Sequence, residues 1–244
     1  ALTIDGHLAV TDASHAYVQI FNKTSGAFIT RFAGIGDDDE HLTKPEGISV
    51  DADGRFFVAD YTTGEVKIYD RNYQWLDTFS EYGKKPGQTR KTEFSDIYDG
   101  RYYVPEAGND RVSVFDLQGK FLFMFGGKGS EPGKMLGPEA SKFNSEGTVY
   151  VADLKNDRVQ AFDKMGKFLF TWGTKGTRQG EMKAPSGIGI DKNDNVYVGD
   201  IGNDRIQVFD KNGKFITGWG KSGAANGEFD KIHGVLVDRS TGWV

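Results

Sequence analysis

Glu46, Glu93, Glu139, Ser186 and His233 recur about 47 residues apart, each at the position that by alignment precedes the glycine opening an apolar run. Carboxylates and an imidazole gathered in one place can bind a divalent cation such as zinc, manganese or iron. Glu46, Glu139 and His233, taken alternately, are the set with that chemistry. The plainer reading is two hydrated glutamates and a neutral, exposed histidine. A second set is Asp12, Asp60, Glu106, Asp153 and Asp200, with Arg111, Arg158 and Arg205 five residues after the last three. Such carboxylates could line a cation site, but a guanidinium at fixed spacing pairs with them or caps the intervening turn. A position repeated in every unit reads as architecture.

Further candidates are weaker. The run Gly36 to His41 holds Asp37, Asp38, Asp39 and Glu40. Its oxygens suit calcium, but it lacks the spacing of a known calcium loop and reads better as a solvated crossing. Lys84, Lys85, Lys128 and Lys175, with neighbouring cations, cluster in other polar segments where phosphate contact is conceivable. Glu131, Glu181, Glu228 and the acidic run interrupt that field, and the net charge is −5, which argues against nucleic acid as the partner. The absence of cysteine excludes disulfides and thiolate metal sites. None of the four histidines sits in a nucleophile motif, and no glycine-rich phosphate loop precedes a helix. No apolar run approaches the roughly 20 residues of a membrane helix.

The elements that must position these residues are strands. Val10-Thr11-Asp12, Val58-Ala59-Asp60, Val104-Pro105-Glu106, Val151-Ala152-Asp153 and Val198-Gly199-Asp200 close matching runs, each followed by a polar turn and a second apolar run. A fixed period of this size, with four short strands in it, marks a propeller blade. The fifth unit is the cleanest. Pro185 to Asp191 opens it and Val196 to Asp200 alternates with period two; Arg205 to Phe209 and Lys214 to Gly220 complete it, with turns rich in asparagine, aspartate and glycine. No segment of ten residues shows a helical period. Trp75, Trp172, Trp219 and the run Phe121 to Phe125 are expected in the core between blades.

The expected fold is therefore all-β: a single domain over 1–244, a six-bladed propeller of four-stranded antiparallel blades. Its units are 1–34, 35–80, 81–126, 127–173, 174–220 and a partial sixth, 221–244. The first strand of each unit is innermost, so Glu46, Glu139 and His233 are expected to converge at one channel mouth. Ala1 to Asp5 aligns with the strand at Gly187 to Asp191, and Ile232 to Asp238 repeats it, so the chain reads as part of a longer polypeptide. A larger ring cut short is the alternative.

Gly202-Asn203-Asp204-Arg205-Ile206-Gln207-Val208-Phe209-Asp210, its partial copy Asn156 to Asp163, and Pro185-Ser186-Gly187-Ile188 resemble the NHL repeat. The resemblance covers nearly the whole chain and implies a propeller. Relatives of that family include RNA-binding repressors, receptor-kinase sensor domains and peptidyl-hydroxyglycine amidating lyases, so fold alone does not imply function. The lyases are similar in holding zinc through histidines at the strand opening, and His233-Gly234-Val235 resembles that element. Glutamate and serine fill the other columns, so the full zinc triad is not implied. The leading expectation is a non-enzymatic binding or scaffold module. It would present crossing loops and channel mouth, including Glu93, Ser186, Lys84, Lys85, Lys128 and Lys175, to a protein or small ligand. The competing one is a metal-dependent lyase or hydrolase at Glu46, Glu139 and His233. No cofactor is fixed by motif; zinc or calcium is the divalent metal in view. An extracellular or periplasmic location is compatible with all of this.

Overall fold

A computed structural model describes residues 1–36 and 38–244; Asp37, within the acidic run, lies outside the described residues. The described chain forms five antiparallel sheets, each built in chain order from neighbouring strands. The first holds β1 (His7–Asp12), β2 (Tyr17–Asn22) and β3 (Phe28–Ala33). The second holds β4 (Pro45–Val50), β5 (Phe56–Asp60), β6 (Val66–Tyr69) and β7 (Trp75–Phe79). The third holds β8 (Asp96–Tyr98), β9 (Arg101–Glu106), β10 (Arg111–Asp116) and β11 (Phe121–Gly126). The fourth holds β12 (Pro138–Phe143), β13 (Val149–Asp153), β14 (Arg158–Phe162) and β15 (Phe168–Trp172). The fifth holds β16 (Pro185–Ile190), β17 (Val196–Asp200), β18 (Arg205–Phe209) and β19 (Phe215–Trp219). Two compact units divide the chain: Ala1–Asn109 with Ser113–Phe123, and Asp110–Val112 with Met124–Val244.

The blade count is five, which corrects the expected six. Ile232 to Asp238 has the composition of an innermost strand but forms no ladder. Its ties include a hydrogen bond from the Gly187 amide to the His233 carbonyl and a turn closed by Asp238 N to Trp243 O. Among the described residues no strand lies beside it in a sheet. The first sheet has three strands; Ala1 to Asp5 forms no strand of its own and meets β1 through a Leu2–Leu8 bridge, backbone bonds between Ala1 and Ala9, and bonds between Thr3 and His7.

Turn chemistry sets the strand ends. Asp163 Oδ1 accepts from the amides of Met165 and Lys167, and Asp210 Oδ1 from those of Asn212 and Lys214. Gly166 and Gly213 take the positive φ (both 81°) that this turn needs. The middle strands β5 and β13 are buried on both faces. That burial replaces the one-sided pattern that alternation alone suggests. Outer strands such as β15 keep alternating exposure. Within the first unit Phe57, Val66, Ile68, Phe79, Tyr102 and Phe115 form one core. Within the second, Trp172 packs edge-on to Tyr150 and against Phe209, at 5.7 Å from each. Trp219 is 40% exposed, and so are Leu122 and Met124 in part, which departs from their expected place in the core. Each stands on an outermost strand, where one row of side chains faces solvent.

Candidate functional site

In the second unit the opening of β12 carries Glu139 and the opening of β16 carries Ser186. Pro138 and Pro185 start these strands; proline at a first strand position removes no ladder donor that a central residue would need. Glu139 Oε2 lies 3.4 Å from His233 Nε2, with Glu139 largely buried and the imidazole open to solvent. Ser186 Oγ donates to the His233 carbonyl at 3.1 Å, and the Gly187 amide donates to the same oxygen at 2.9 Å. His233 is thus fixed through its backbone by β16 and faces a carboxylate from β12. This acid–imidazole pair can hold a proton or a divalent ion.

In the first unit the Glu46 carboxylate is paired with Lys44 Nζ at 2.9 Å, and the Glu46 carbonyl accepts from Thr11 Oγ1. Burial lowers the Lys44 pKa, but the Glu46 carboxylate outweighs it, and the ammonium stays above its ordinary value. Glu46 therefore already has a counter-ion of its own. Glu93 is buried ahead of β8.

The junction acids sit in buried networks. Asp153 Oδ1 accepts from the Leu136 amide at 2.7 Å, and its Oδ2 from Asn156, Arg158 and Gln160 at 2.8, 2.8 and 3.1 Å. Asp200 repeats this with the Lys183 amide, Asn203, Arg205 and Gln207. Asp60 accepts from four amides, of Thr43, Lys44, Thr62 and Thr63, and Glu106 from Asn109, Ser113 and the Arg90 amide. Burial pushes the Asp153 carboxyl above the ordinary carboxylate value, against the pull of these donors. Asp12, nearer the surface, is also raised by desolvation, but its bonds to His15 win and hold it below. Arg111 begins β10 and is buried.

The same arginines hold the crossing loops. Arg158 donates to the carbonyls of Ser130, Glu131 and Lys134, and Arg205 to those of Thr177, Arg178 and Glu181. Gln160 and Gln207 each donate to one loop carbonyl and accept from one loop amide. In the second blade Lys67 takes the glutamine's place, giving its ammonium to the carbonyls of Asp38 and Asp39. Asp38 caps the amides of Glu40 and His41, and its bond to the His41 ring keeps its carboxyl below the usual range. A loop whose carbonyls already accept from an ammonium has less to offer calcium. Lys84, Lys85, Lys128 and Lys175 are exposed on the crossings.

Sequence reasoning missed the glutamine column and the aspartates Asp110, Asp157 and Asp204. Each of those three accepts from an amide of the following crossing, at Gly137, Ala184 and Lys231. The signal was present as Asn-Asp-Arg recurring at the period, with asparagine and arginine serving one crossing and aspartate the next.

Residues 42–69 match the NHL repeat family. No curated protein matches the sequence. Among solved structures, a streptogramin B lyase is 13% identical, covering 98% of this chain and 72% of its own, with a TM-score of 0.71. A catalytically inactive histidine-to-alanine variant of virginiamycin B lyase from Staphylococcus aureus, with quinupristin, is 13% identical over 97% and 73%, at 0.69. A protein of unknown function from Bacteroides caccae is 13% identical over 87% and 72%, at 0.63. At such identities the likeness is one of fold.

Proposed function

We propose that this chain, a β-propeller carrying an NHL repeat at residues 42–69, is a binding module presenting its crossing loops to a protein or small ligand. One observation carries this reading: Arg158 and Arg205 each fix three carbonyls of a crossing loop while Lys128 and Lys175 point to solvent from those loops. Loops ordered before a partner arrives spare it part of the ordering entropy. Selection of displayed peptides on the full chain tests it. Selected peptides should lose about tenfold in affinity when Lys128→Glu and Lys175→Glu are combined, a loss worth roughly 1.4 kcal/mol. A selection that enriches nothing, or only peptides indifferent to the loops, removes the reading.

The Glu139–His233 pair favours a second reading, a metal-dependent lyase or hydrolase. The second unit contributes two protein ligands, where a catalytic zinc commonly takes three. Ser186 Oγ is turned to a carbonyl, so it does not complete the set. Glu139 and His233 would supply two of a metal's ligands. The test is consumption of quinupristin by the full chain with added zinc. Under this reading His233→Ala lowers the rate by about a hundredfold, the order contributed by a positioned acid or base. Intact quinupristin after prolonged incubation removes it.

A further inference from the structure

The second blade departs from the repeat on its turn. The residue after the junction acid is Ala13, Ala107, Leu154 or Ile201 elsewhere, but Tyr61 here. Lys44 Nζ stands over the Tyr61 ring at 4.0 Å from its centroid, and Lys91 Nζ reaches the same ring at 5.6 Å. Lys44 and Lys91 are one period apart, in a column that continues as Gly137, Ala184 and Lys231. Beside them Arg90 donates through Nε to the Tyr82 hydroxyl at 2.7 Å, with its guanidinium 5.4 Å from the Tyr82 ring centroid. Tyr82 is 49% exposed.

Of the three cations on this surface only Lys44 has a carboxylate partner among the described residues. Glu46 is taken by Lys44, Glu81 accepts from Gln88, and Glu106 accepts from Asn109 and Ser113. Among the described residues neither Arg90 nor Lys91 forms an ion pair; each is met by a tyrosine ring instead. Two adjacent cations without counter-ions, stiffened by cation–π contact, make a site for paired negative charge. Two ammonium groups already crowd the Tyr61 ring, which leaves it less free to stack on a nucleic-acid base.

We infer that Arg90, Lys91 and Tyr61, with Tyr82, form a docking site for an acidic peptide segment of a protein partner, one bringing at least two neighbouring carboxylates. This rests on the binding reading above and names its partner. The test is fluorescence anisotropy on the full chain with a labelled twelve-residue peptide alternating glutamate and serine. A glutamine–serine peptide and an oligothymidylate of equal charge serve as comparisons. The glutamate peptide should bind, and bind more weakly as salt rises, while the glutamine peptide should not. Arg90→Glu with Lys91→Glu should lose at least about tenfold, the scale of reversing contacts at a charged interface. Lys192→Glu with Lys214→Glu carries the same charge change on exposed hairpins and should bind as the wild type does. Arg90→Gln with Lys91→Gln, a milder pair, should lose affinity in the same direction if the reversal impairs folding.

Equal binding of the two peptides, equal loss in both charge-reversed variants, or tighter binding of the oligonucleotide overturns the inference. If displayed peptides prove dependent on Lys128 and Lys175 but carry no carboxylates, the binding module stands and the acidic partner falls. Selection of nothing removes the broader reading, and the anisotropy result still decides the acidic site by itself.

Discussion

Arg158→Ala should destabilise the protein by about 3–5 kcal/mol, the cost of removing one partner from a buried pair. That corresponds to a fall in Tm of roughly 2–4 °C per kcal/mol for a chain of this size. The magnitude follows from what is left behind. Asp153 is fully buried and loses its Nε donor, the carbonyls of Ser130 and Glu131 lose their Arg158 donor, and that of Lys134 keeps only Gln160. Arg158→Lys should recover little, since a single ammonium cannot serve a carboxylate and three carbonyls from one fork. Urea denaturation of both variants checks the ordering.

The defect should also depend on pH. Burial already raises the Asp153 pKa above its ordinary 3.8, and loss of Arg158 removes one of the forces opposing that rise. For a carboxyl whose folded pKa is raised, stability is fully present below 3.8 and is lost as pH climbs through the folded value. The deficit of Arg158→Ala relative to wild type should therefore be smaller in acid and grow toward neutrality. A deficit that shrinks as pH rises would mean that Asp153 is not the group left exposed to the loss.

The strands were legible because each blade must satisfy the same turn and pairing rules. Asp-Lys-Asn-Gly at 210–213 and Asn156-Asp157-Arg158 announce a hairpin and a capped turn wherever they stand. The sixth blade was not legible as absent, since Ile232 to Asp238 has a strand's composition and lacks only a partner; composition does not report pairing. The column Glu46, Glu93, Glu139, Ser186, His233 was readable as a column, and the structure brings Glu139 and His233 together. What the spacing could not show is the neighbour each side chain meets first. Lys44, two residues from Glu46, captures that carboxylate. The glutamines at 160 and 207 read as ordinary polar strand residues, yet they are buried because the crossing loop folds over them.

Gly187→Ala is the substitution that most directly tests how His233 is held. A Cβ at Gly187 would stand 2.5 Å from Val235 N, 2.6 Å from His233 O and 2.9 Å from Gly234 C. These are backbone atoms, which cannot rotate aside as a side-chain tip can. The cost should reach about 3 kcal/mol, the upper end of ordinary overpacking. Gly180→Ala is the matched comparison: its φ of 81° strains an alanine, but nothing lies within 4 Å of the added carbon. Backbone strain alone there should cost about 1–2 kcal/mol. In Gly187→Ala the amide at 187 should also exchange its hydrogen faster, because the segment it donates to has been pushed away. If both alanine variants unfold at the same urea concentration and residue 187 stays protected, then 233–235 is not seated on β16. The nearness of His233 to Glu139 would then lose its positional cause, and with it the lyase reading would lose the geometry that favours it.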